Sequence, residues 1–129
     1  ARRTARPAQG PPRARAPRPD GWTELLPELG DGIRVTKRTW GAFHDTDLHE
    51  KLVAEGVTQV VLGGIATSKG VESTARAAHE HGYNVTVATD AVADFDPVAH
   101  RNTIERIFPA IGETGTSAEI IALLEATAR

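Results

Sequence analysis

Apolar and polar positions alternate over residues 33–37, as along a strand with one covered face. Over residues 45–55 the period lengthens, and Leu48, Leu52 and Val53 fall on one face of a predicted helix that Gly56 closes. Residues 58–65 are a nearly unbroken β-branched apolar run, the pattern of a parallel strand buried on both faces. A helix over residues 69–81 follows and ends at Gly82. Residues 84–88 read as another strand, 97–108 as a helix, 113–116 as a weak edge strand and 117–128 as a last helix with Ser117 as its N-cap. Nearer the start, Trp22, Leu25, Leu26 and Leu29 make a short helical turn that Pro27 and Gly30 keep from growing. Strands and helices in this order predict right-handed βαβ crossovers and an α/β fold, a three-layer open parallel sheet with helices on both faces.

Composition changes this picture mainly at the start of the chain. Residues 1–20 hold six arginines and five prolines against one aspartate, so they carry +5 while the remainder carries −7. They offer too little apolar surface to offset the entropy of ordering, and read as an extended or disordered basic arm before one domain over residues 21–129. An acidic domain with a short aromatic-free basic arm argues against nucleic acid as a partner. No apolar run approaches the ~20 residues that span a bilayer, and the arm lacks the apolar centre of a secretory signal. The absence of cysteine excludes disulfides and thiolate metal sites and makes a cytoplasmic location the expectation.

The richest stretch is residues 60–83, VVLGGIATSKGVESTARAAHEHGY, an apolar strand that turns on Gly63 and Gly64 and runs straight into a helix. Such a turn gathers free backbone N–H groups at one point, where open α/β sheets keep their chemistry. It is neither GxGxxG nor GxxxxGK[ST], because Lys69 is followed by glycine, so a nucleotide loop is not supported. Ser68 and Ser73 have no histidine near them in sequence to act as a base. The five histidines show no i, i+4 ligand pair and read as surface groups, so neither a metal nor another cofactor is expected.

The words of this turn resemble the isochorismatase-like hydrolases, also called cysteine hydrolases, whose turn reads G-x-x-T-x-x-C-V-x-x-T-A-R. Gly64, Thr67, Val71, Thr74, Ala75 and Arg76 stand in register, and Gly70 stands where the nucleophilic cysteine would be. The resemblance covers residues 22–124. It implies an isochorismatase-like, Rossmann-like sheet in which Lys37, at a strand end, is the catalytic lysine. It also implies a non-proline cis bond between Ile65 and Ala66, and an oxyanion hole built from the amides of Ala66 and Gly70. Ile65, Ala66 and Thr67 then line the substrate pocket. Trp40 and Phe43, in the loop after Lys37, either wall that pocket or anchor the loop on the core.

The family's opening strand and its aspartate have no counterpart in residues 1–20. The resemblance therefore implies the C-terminal two-thirds of the fold, with the strand at 58–65 short of a neighbour unless a homo-oligomer or another partner completes the sheet. Two functions follow. The first is a non-thiol hydrolase by descent, acting on a small amide, carbonyl or vinyl-ether substrate. The second is a catalytically inactive member that serves as a small-ligand-binding or oligomer subunit.

Overall fold

The computed structural model describes residues 16–128. The expected basic arm lies largely outside the described residues. The chain divides into two units, Ala1–Gly32 and Ile33–Arg129. In the first, the expected helical turn is a single 3-10 turn at Pro27–Leu29, and the Arg18 guanidinium lies 5.6 Å over the Trp22 ring.

The second unit holds the sheet. Helix α1 (Leu48–Ala54) leads to strand β1 (Gln59–Ile65), a π-helical turn (Thr67–Val71) and helix α2 (Glu72–Glu80). Strand β2 (Asn84–Ala93) follows. Next come helix α3 (Pro97–Asn102), a second π-helical turn (Thr103–Ile107), helix α4 (Phe108–Ile111), strand β3 (Glu113–Gly115) and helix α5 (Ser117–Thr127). The strands lie in the order β1-β2-β3, all parallel. The parallel α/β architecture is the one expected.

One face of the sheet carries the core. Val60 and Leu62 of β1 and Val85, Val87 and Val92 of β2 pack there against Val71, Ala75 and Ala78 of the π turn and α2 and against Phe108 of α4. Neighbouring residues on a strand face opposite ways, so Val61 and Thr86 point to the other face, where they line a groove with Ile120 and Leu123 of α5. Gly112 lets α4 pass into β3: a Cβ there would collide with the Val85 carbonyl oxygen, so only glycine fits.

Several expectations are corrected. Residues 33–37 are not in the sheet; alternation predicts which way side chains face, but a ladder also needs a free edge to pair with. Strand β1 is not buried on both faces. Among the described residues it pairs only with β2, and Val61 and Ile65 are exposed. Strand β2 runs to Ala93, past the small and acidic residues that end its apolar pattern, because β1 continues beside it after a register irregularity between Leu62 and Gly64. The N-cap of α5 is Thr116, not Ser117: its side chain accepts from the Glu119 N–H, and the Glu119 carboxylate accepts from the Thr116 N–H, completing a capping box.

Candidate active site

Strand β1 delivers the turn. Gly64, at φ +135°, takes a backbone conformation that favours glycine, and the Ile65–Ala66 peptide bond after it is cis, as the resemblance implied. The Ala66 carbonyl then accepts from the amides of Lys69 and Val71, winding the next residues into the π turn that carries Gly70.

The loop at 37–43 lies against this turn. Lys37 Nζ donates to the Trp40 carbonyl at 2.6 Å. A Cβ placed on Gly70 would stand 3.3 Å from Lys37 Nζ and 3.2 Å from the Trp40 carbonyl oxygen. The lysine at position 37 and the glycine at position 70, far apart in sequence, thus meet. Both line a cavity of about 320 Å³ with Leu62, Gly63, Ile65, Val71 and Thr74. Lys37 is the one charged side chain on its lining among the described residues.

The other expected residues divide. Ile65 lines the cavity. Thr67 is fully buried, its hydroxyl 2.8 Å from His100 Nδ1, so its side chain ties the turn to α3. Trp40 is exposed and lines a separate depression of about 580 Å³ with Arg38, His44 and Ser73; only its backbone carbonyl reaches Lys37. Phe43 packs 5.1 Å from the His81 ring and 5.9 Å from Tyr83, anchoring the loop on the core. The histidines correct their surface reading in part: His49 stacks on His81 at 4.0 Å and shares a 2.8 Å hydrogen bond with the Tyr83 hydroxyl.

Two supports of the turn were missed in sequence. Asp94, just past β2, accepts from both the amide and the hydroxyl of Ser68, at 2.7 and 2.6 Å, and from the Asp96 amide at 3.0 Å. The Ser68 hydroxyl and these amides hold its carboxyl well below the usual carboxylate range, with Lys69, 3.9 Å away, a minor contributor. Thr74 belongs to the matched T-A-R, but its role shows only in three dimensions. Its hydroxyl donates to the Gly70 carbonyl at 2.7 Å and accepts from the Ala42 amide at 3.0 Å. In the same motif Ala75 is buried core, while Arg76 pairs with Glu72, which also accepts from the Thr103 hydroxyl. No group of three metal-ligating side chains is present among the described residues, and none of their helices is long and apolar enough to cross a membrane.

Comparison with known proteins agrees with this fold. The sequence model of the isochorismatase domain matches residues 2–119, so the match begins in the basic arm, which the resemblance had left out. An uncharacterized isochorismatase family protein, YwoC of Bacillus subtilis, is 46% identical over 121 residues, which is 92% of this chain and 62% of that protein. Nicotinamidase 3 of Arabidopsis thaliana is 37% identical over 92 residues, covering 66% of this chain and 46% of its own. Among solved structures, an isochorismatase family protein from Burkholderia thailandensis superposes with a TM-score of 0.80 at 43% identity, covering 92% of this chain and 63% of its own. The chain thus spans less than two-thirds of the length of these relatives.

Proposed function

The chain belongs to the isochorismatase family, and on that premise we propose that it forms part of a hydrolase that works without a thiol. Its substrate is a small amide, carbonyl or vinyl ether seated between Lys37 and the Gly70 turn. One observation carries the proposal: the Lys37 amine stands 3.3 Å from where a side chain on Gly70 would begin, inside a cavity with no other charged lining residue among the described ones. The volume a nucleophile would occupy is left to substrate or water. Glycine has no atom to attack with, so the step is water addition. On an amide or carbonyl, the lysine ammonium and the backbone amides of Ala66 and Gly70 are the groups that stabilise the negative charge that develops as water adds; a vinyl ether is protonated at carbon and develops positive charge, so there these groups only orient the substrate. The likeness to a nicotinamidase supports an amide substrate, and the family's name a vinyl ether.

A second reading has its own support. No carboxylate lines the cavity among the described residues, so the proton donor that such hydrolysis needs is not in place, and a small-ligand-binding or oligomer subunit would look the same. In that reading the unpaired edge of β1 is where a second copy or another partner adds a strand. Ammonia release from nicotinamide and cleavage of isochorismate, measured for the chain and for Lys37→Met, separate the readings. Turnover of either substrate that falls by about 10²–10³-fold in Lys37→Met is the expected result. Equal turnover in the two proteins removes Lys37 from the mechanism, and saturable binding of either compound without turnover selects the binding subunit.

A further inference from the structure

We propose that Thr74 is a positioning residue whose hydroxyl ties the loop carrying Lys37 to the turn carrying Gly70, and so sets where the amine stands in the cavity. The inference rests on reading that cavity as the site.

A threonine inside a helix commonly bonds back to the carbonyl four residues earlier, a local contact with no reach. Thr74 makes that bond, to the Gly70 carbonyl at 2.7 Å. Its oxygen has a second use. It accepts from the amide of Ala42, a residue 32 positions earlier in the chain, at 3.0 Å. One atom therefore holds the backbone of both segments.

The consequence runs through the loop. Ala42 lies two residues after Trp40, whose carbonyl is the acceptor for Lys37 Nζ. That same carbonyl oxygen lies 3.2 Å from the Cβ position of Gly70. If the Ala42 amide is released, the Trp40 carbonyl is free to shift, and the amine it holds shifts with it. The Thr46 hydroxyl donates to the Ala42 carbonyl, but that contact stays within four residues of the loop and cannot fix its distance from Gly70. Loop and turn are thereby registered by a side chain that itself need not touch substrate.

The chain offers an internal control, because it has three lysines. Lys51 is held by Asp47 and the Arg34 carbonyl, and Lys69 lies near Asp94. Neither leans on Thr74. The experiment is timed acetylation with peptide mass mapping of the whole chain, together with thermal melting, for wild type, Thr74→Val and Thr74→Ser. Valine keeps the shape and removes the hydroxyl; serine keeps the hydroxyl. The expected result is labelling of Lys37 about fivefold faster in Thr74→Val, the population change that loss of one ordinary hydrogen bond brings. Lys51 and Lys69 are then unchanged, and Thr74→Ser stays near wild type.

An unchanged or slower Lys37 rate in Thr74→Val overturns the proposal, even if the melting temperature falls, because the role is then only structural. So does a rise shared by all three lysines, which reports loosening of the whole fold. Thr74→Ser behaving like Thr74→Val overturns it as well. Labelling needs no substrate, so failure of the hydrolase reading leaves this result interpretable, and the tether can fail while turnover still depends on Lys37.

Discussion

Asp94 and Asp90 stand four residues apart near the end of the same strand and make the same pair of bonds to a serine. Asp94 takes the amide and hydroxyl of Ser68 at 2.7 and 2.6 Å; Asp90 takes those of Ser117 at 2.7 and 2.8 Å. Both carboxyls are held below their ordinary range by the serine hydroxyl first and its amide second. The surroundings differ. The Asp94 side chain is 0% exposed and also anchors the Asp96 amide, just ahead of α3, whereas Asp90 is exposed and works beside a capping box that already satisfies the start of α5. The same two bonds thus hold the turn of the candidate site in one place and duplicate a cap in the other. What a hydrogen-bond pair contributes is set by how much water its loss would admit and by whether a neighbour can replace it.

The largest effect is expected from Asp94→Ala. Ser68 and Asp96 lose a buried charged acceptor together, and the melting temperature should fall by about 10 °C, with faster acetylation of Lys37 as the turn loosens. Melting that matches wild type would show that the Thr67–His100 contact alone suffices to hold the turn.

Acid should sharpen the comparison. Both carboxyls have folded-state values below the ordinary 3.8, so the stability they add is fully present above that range and is lost as pH falls through the lower folded values. Melting temperature followed from about pH 5 to about pH 2 should drop less steeply in Asp94→Ala than in wild type, because the linked group is gone. Parallel curves would refute the assignment.

The smallest effect belongs to Asp90→Ala, at most about 3 °C, since Thr116 and Glu119 still cap α5. Hydrogen exchange should quicken only in the first turn of that helix. A fall as large as that of Asp94→Ala would erase the distinction between the two sites.

The alternation of strand and helix and the glycine turn after β1 were legible in the pattern of residues 58–88, and Lys37 and Gly70 were each marked by their likeness to a family motif. What was not legible depends on neighbours. Residues 33–37 alternate like a strand yet pair with nothing in the sheet, and β1 is as apolar as a central strand yet has an exposed edge among the described residues. Phe43 carried two readings in sequence, and its contacts with His81 and Tyr83 chose the anchor. Asp94 was invisible because β2 was expected to end at residue 88, so its acidic end read as loop.

The sequence by itself determined the class of fold, the place of the turn and the absence of a thiol, because hydrophobic period, glycine and residue identity are local properties of the chain. Only the tertiary structure decided that Thr74 reaches Ala42, that the Asp94 side chain is covered while Asp90 is exposed, and that the Lys37 amine stands 3.3 Å from the empty side-chain position of Gly70. Those are distances between segments far apart in the chain, and they take values only once β1, β2 and α2 have packed.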